Sequence, residues 1–407
     1  MQNDNSNSIG IKRSMMIFPI LLALYEVVTY LSNDAYLPGL PQIARDLHTT
    51  LHLAQLTVTV IFMGSASMQM ILGPIADRVG RRPVLLVGGL VFILSTLGCS
   101  FTNNIYHLLI FRFIQGTTVT ALVIAGYSTI HDLYNQKQAI HILAIMGSIT
   151  LLAPAFGPLI GSMIMYFSNW RWVFGCLAIA GIFVITGLFF KMPETVKENT
   201  EKPGLKRIIT QYKNIFMNKS FILFSLLPLF LFSALIAWIV SGPFLLIDVF
   251  HFQPHDFGIA QAFIFGGLIL GLRMVKTMME KYPLKKIILI GSMTSLFGGM
   301  YGFLTSILFP NVVWNIIIAM MLISVGAGLV FPIANRLSVE SSTEPMGSRV
   351  AVSSFLTSIF GMIGSGIISG FYNGKLVSLG IIIIVFCSIA FLIQFVLIRH
   401  MKNDRAS

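Results

Sequence analysis

Apolar residues in this chain neither alternate with period two nor recur at the three-to-four spacing of a surface helix. They run together for some twenty positions at a time. Twelve such runs cover residues 15–37, 50–72, 84–101, 105–127, 138–166, 172–190, 221–247, 257–279, 286–308, 313–335, 349–371 and 377–398. Each has about the length that carries a helix through the hydrocarbon core of a bilayer. Backbone groups in lipid must be satisfied within their own segment, so the runs predict helices and an all-α polytopic membrane protein. Pro19, Pro38, Pro154, Pro158, Pro228, Pro243 and Pro332 fall inside or at the ends of runs, where kinks are expected.

One long hydrophilic stretch, 191–219, separates two sets of six runs. The organisation read from it is an N-terminal half 1–190, a linker 191–219 and a C-terminal half 220–407. Short basic connections at 73–83 and 278–286 occupy corresponding places in the two halves, as an internal duplication would leave them.

Composition agrees: 56% of residues are hydrophobic and 10% charged, with a mean hydropathy of +0.84. A soluble fold would lack the polar residues to cover such a core. The formal charge of +12 is not a nucleic-acid footprint. Apart from Arg45, Arg171, Lys375 and the mid-span Arg112, the Lys and Arg residues fall in connections on one side, which places both termini in the cytoplasm. Residues 1–14 are polar and no cleavage site follows, so the first run is expected to remain as an anchor. Cys99, Cys176 and Cys387 lie far apart within apolar runs, which argues against a disulfide framework. The pairs His48/His52 and His251/His255 have no evident third ligand, so no metal site and no cofactor is expected.

No phosphate-binding glycine loop is present in the sequence, so uphill transport would draw on an ion gradient. Ionisable groups inside spans are the functional candidates. Glu26 and Asp34 are the only acids well within a span, and Asp248 marks the end of the seventh. Eight residues of helix put Glu26 and Asp34 about 12 Å apart along the axis and about 80° apart around it, so both can face one cavity. For Arg112 two readings stand side by side: a clamp on backbone carbonyls or Gln115, and a part in proton coupling. Tyr25, Tyr30, Tyr127, Trp238 and Phe265 lie away from the interfacial belt, and with the carboxylates they suit a lipophilic cation.

Residues 73–83, Gly-Pro-Ile-Ala-Asp-Arg-Val-Gly-Arg-Arg-Pro, resemble the signature loop between spans two and three of the major facilitator superfamily. Arg112-Phe113-Ile114-Gln115-Gly116 is similar to a motif of proton-coupled members. Residues 153–161, with Pro154, Gly157, Pro158 and Gly161, resemble the antiporter motif of span five, and Met192-Pro193-Glu194-Thr195 fits drug/proton antiporters with twelve spans. The resemblance implies the major facilitator fold and export of lipophilic compounds against protons from a bacterial inner membrane, by a protein expected to be a monomer. It assigns proton coupling to Asp34, Glu26 and Arg112. Substrate contact falls to Glu26, Tyr30, Asn33, Asp34, Tyr127, Trp238 and Phe265. A conformational latch is read in Gly73, Asp77, Arg78, Gly80, Arg81 and Arg82, with Asp77 capping a helix end and pairing with Arg81 or a residue of span eleven when the protein is open outward. The rival readings are an exporter of one natural metabolite, an importing symporter and a non-transporting scaffold.

Overall fold

The computed structural model describes residues 13–196 and 204–403, and among them sixteen α-helices and no strand. The first half contains α1 (Arg13–Asp34), α2 (Leu40–Asp46), α3 (Leu51–Gln69), α4 (Leu72–Val79), α5 (Arg81–Phe101), α6 (Ile105–Ala121), α7 (Tyr127–Leu133), α8 (Gln136–Phe167) and α9 (Trp170–Lys191). After α10 (Leu205–Met217) the second half contains α11 (Lys219–Pro243), α12 (Pro254–Met279), α13 (Leu284–Leu308), α14 (Val313–Glu340), α15 (Met346–Phe371) and α16 (Leu376–Asn403). Eleven helical stretches among the described residues are long and apolar enough to cross a membrane. A twelfth, α8, is bent by 43° between Gln136–Gly147 and Leu152–Phe167.

Polar caps set where spans begin. Side-chain oxygens of Thr50, Asn104, Asn135, Asn169 and Asn218 accept the first free amides of α3, α6, α8, α9 and α11. Small residues set how closely spans pack. Gly64 of α3 lies on the Phe113 carbonyl of α6, and Gly116 of α6 lies on the Ile61 carbonyl of α3, with no room for a Cβ at either.

Two features add to the expected layout. The first span does not end near residue 37. It continues through a 3-10 turn at Leu37–Gly39 into α2, because Pro38 and Pro41 occupy first-turn positions, where a missing N–H costs no hydrogen bond. The linker is also more than a connection, since it carries α10. That helix buries Ile208 and Ile215, two turns apart, and exposes Lys206, Arg207 and Lys213. Asn214 donates to Glu344 at 2.8 Å, Ser348 donates to Gln211 at 2.9 Å, and Tyr212 donates to the Met70 carbonyl at 3.2 Å. The helix thus straps the start of α15 to the end of α3.

The halves meet along two seams. Gly258 of α12 sits on Leu159 of α8, and Gly361 of α15 receives the Phe62 ring of α3. The end of the bundle where α1 starts and α16 finishes is called here the near end, and the opposite one the far end. At the far end Arg45 and Asp248 form an ion pair at 2.9 Å across the halves. Beside it His52 donates from Nδ1 to the Ser369 carbonyl at 2.7 Å.

Candidate functional site

The first span supplies two fully buried carboxylates, Glu26 and Asp34. Tyr127 Oη donates to Glu26 Oε1 at 2.6 Å. Tyr127 opens α7 directly after a π-helical turn at Leu122–Gly126, a break in register of the kind that clusters at functional positions. Gly126 in that turn packs on Leu22, so α6 and α7 lie close against α1 one turn from Glu26.

Asp34 lies within the field of the Arg112 guanidinium. Arg112 is completely buried, and no ion pair to it within 4 Å occurs among the described residues. Its Nη1 donates to the Ser32 carbonyl at 2.9 Å and to Gln115 Oε1 at 2.8 Å. The guanidinium carbon stands 4.1 Å from the Tyr36 ring centroid and 5.5 Å from that of Phe174. Gln115 is itself anchored, donating to Thr96 Oγ1 at 2.7 Å, and Tyr36 Oη lies 3.0 Å from Thr57 Oγ1. The clamp on a carbonyl and Gln115 is therefore present. It grips the backbone two residues before Asp34, so the positive charge is held beside that carboxylate.

The span-five glycines bear on the same place. A Cβ at Gly157 would stand 2.7 Å from Asp34 Cβ, and Gly161 leaves no space between itself and the Ala35 carbonyl. α8 can reach the Asp34 turn only because these positions lack side chains. The 3-10 turn that follows packs against α11 and α12 of the other half. Asp34 is thus placed where both halves meet.

Tyr30, Asn33 and Tyr127 are half-buried, whereas Trp238 and Phe265 are buried in the second half. The Trp238 indole N–H is not a free donor, because its Nε1 donates to Gln261 Oε1 at 2.8 Å. Gln261 was not singled out in the sequence, where an uncharged amide in a span draws no notice. Two surface cavities lie away from the carboxylates. One of about 590 Å³ at the far end is lined by His52, Ser369 and Tyr372, and one of about 330 Å³ between α4, α5 and α6 is lined almost wholly by apolar side chains.

A family model described as Major Facilitator Superfamily matches residues 22–369. The chain belongs to that superfamily. It is 31% identical to the multidrug resistance protein MdtM of Escherichia coli K12, over 82% of this chain and 81% of that one. It is also 31% identical to the chloramphenicol resistance protein CraA of Acinetobacter baumannii, over 88% and 87%, and 30% identical to the multidrug transporter MdfA of Edwardsiella ictaluri, over 86% and 85%. In fold it resembles a bacterial homologue of the human lysosomal transporter Spinster, with a TM-score of 0.78 at 16% identity, covering 97% of this chain and 99% of that one. The nucleoside transporter NupG gives 0.72 at 12% identity, covering 94% and 99%.

The loop at residues 73–83 ties the start of α5 to α7 and to the end of α9. Gly80 has φ +112°, and a Cβ there would meet Glu194 Oε2 at 2.5 Å. Arg81 pairs with Asp132 of α7 and donates to the Ser128 carbonyl at 2.7 Å. Arg82 donates to the Phe189 carbonyl at 2.7 Å and stands over the Phe189 ring. Glu194 holds the start of α5, accepting from the amides of Arg81 and Arg82, each at 3.1 Å, and it also accepts from those of Thr195 and Val196. Burial pushes the Glu194 carboxyl up, but these four amides outweigh it and hold the group below the usual carboxylate range. Asp77 lies in the last turn of α4, where partial burial raises its carboxyl, opposed by Arg81 and aided by Asp132.

Proposed function

We propose that this protein is a secondary transporter that exports lipophilic, often cationic compounds in exchange for protons, by alternating access. The observation that carries the reading is the placement of Asp34. It is a buried carboxylate at the junction of the halves, beside a clamped guanidinium and pressed by the glycines of the antiporter-like segment. A charged group so placed is expensive to bury unless it has work to do. The relatives' names, multidrug and chloramphenicol resistance, support a drug as cargo.

In this reading the near end faces the cytoplasm and the closed far end faces outward. Substrate enters between the halves and binds beside ionised Asp34 or Glu26, where the aromatic side chains of Tyr30 and Tyr127 contribute cation–π attraction. Glu26 is the nearer to the cytoplasmic entrance and selects for positive charge. The far end opens when the Arg45–Asp248 pair parts, and a proton arriving from outside neutralises Asp34 and favours release. The protonated protein returns and discharges the proton inside. Proton and substrate must each weaken the other's binding, by the same factor. An electrogenic exchange draws about 2.3 kcal/mol per charge per 100 mV. The loop at residues 73–83 acts as the conformational latch of the near end.

The test is a substrate screen in inverted vesicles with an imposed pH gradient. Compounds that collapse the gradient only when the protein is present support the reading. Uptake in the direction of proton flow would make it a symporter.

A further inference from the structure

Trp238 and Gln261 leave one polar group without a use in the account above. Both side chains are fully buried. An indole N–H is a donor only, so its 2.8 Å partner has to be the amide oxygen of Gln261. That fixes the amide and turns Nε2 away from Trp238. The Nε2 group has no hydrogen-bond partner among the described residues, and buried amide donors are rarely left so.

Neighbours on α12 show which way this face looks. Gly258 lies against Leu159 of α8, while Gly267 and Gly271 lie against Met321 and Val325 of α14. At 100° per residue, Gln261 falls on the arc between these two contacts, on the same face as Phe265 one turn later. The arc looks into the junction of the halves, where the turn after Asp34 also packs on α11 and α12. A cation brings no acceptor to an NH2 group, so the carboxylates and Gln261 ask for different ligands.

We infer that Gln261 is a specificity-determining residue whose Nε2 donates to an acceptor oxygen of neutral substrates, such as a carbonyl, nitro or hydroxyl oxygen, with Trp238 as its positioning residue. The site then reads two chemistries, positive charge through α1 and neutral oxygen acceptors through α12. This rests on the drug-export reading above.

The test compares two probes on the full chain in nanodiscs: chloramphenicol, neutral and rich in acceptor oxygens, and tetraphenylphosphonium, a cation with no hydrogen-bond acceptor. Gln261→Met keeps the length and removes the donor. It is expected to weaken chloramphenicol binding about tenfold, the scale of one lost hydrogen bond in a buried site, and to leave tetraphenylphosphonium within about twofold. Trp238→Phe releases the amide and is expected to give a smaller loss for chloramphenicol alone. If Gln261→Met fails to fold, Gln261→Glu decides, since it turns the donor into an acceptor and should weaken chloramphenicol while sparing the cation. Equal losses for both probes, or unchanged chloramphenicol binding, would overturn the inference and leave drug export standing. If the unaltered protein binds neither probe, drug export fails and the inference falls with it.

Discussion

Tyr127 Oη and Glu26 Oε1 are 2.6 Å apart, a hydrogen bond that ties the fourth span to the first just past a π-helical turn. If it fixes the carboxylate for cations, the two side chains act as a unit. Tyr127→Phe is expected to weaken binding of a cationic probe about fivefold to tenfold and a neutral one less than twofold, as one hydrogen bond to a charged group would. In the double-mutant cycle, adding Tyr127→Phe to Glu26→Gln should cost nothing further. Additive losses in isothermal titration would separate the two residues.

Glu194 makes a prediction with a definite pH window. Its folded-state carboxyl is held below the ordinary value, so its contribution is present above about pH 4.3 and is lost only as pH falls through the lower folded value. Glu194→Ala removes a cap worth about 1 kcal/mol. Thermal unfolding in detergent should show a midpoint a few degrees below the unaltered protein, by a constant gap from pH 5 to 8 that closes in more acid solution. A gap that closes near pH 6 contradicts the assignment.

The twelve spans were legible because lipid demands unbroken apolar runs, and the bend in α8, between Gly147 and Leu152, lies one turn before Pro154. The linker helix was not legible: α10 is short and charged on one side, and its apolar face is defined only by the α11 and α15 residues it packs on. Glu26, Asp34 and Arg112 stood out because charge in a span is conspicuous. Gln261 did not, because its significance depends on the donor Trp238 supplies from another helix. Glu194 lies more than a hundred residues from the Arg81 and Arg82 amides it accepts, and only the packing of α9 beside α5 brings it there.

Arg45 and Asp248 close the far end with an ion pair whose side chains are 63% and 39% exposed. Such a pair is worth at most about 1 kcal/mol, so it biases the closure without locking it. Asp248→Asn is expected to raise the far-end-open population by no more than about fivefold, and high salt should act in the same direction. Double electron–electron resonance between labels on the far ends of α3 and α15 reads this directly. Distances indifferent to both changes would remove the pair from gating.

In the proposed cycle Asp34 exchanges protons for substrate. The most direct measurement uses purified protein in liposomes with a pH-sensitive dye inside, following proton movement when tetraphenylphosphonium is added on one side. The unaltered protein is expected to show substrate-induced proton flux opposite in direction to substrate. Asp34→Asn should still bind the cation and move no protons. Full proton-coupled transport by Asp34→Asn, or substrate flux in the unaltered protein that ignores the pH gradient, would contradict it.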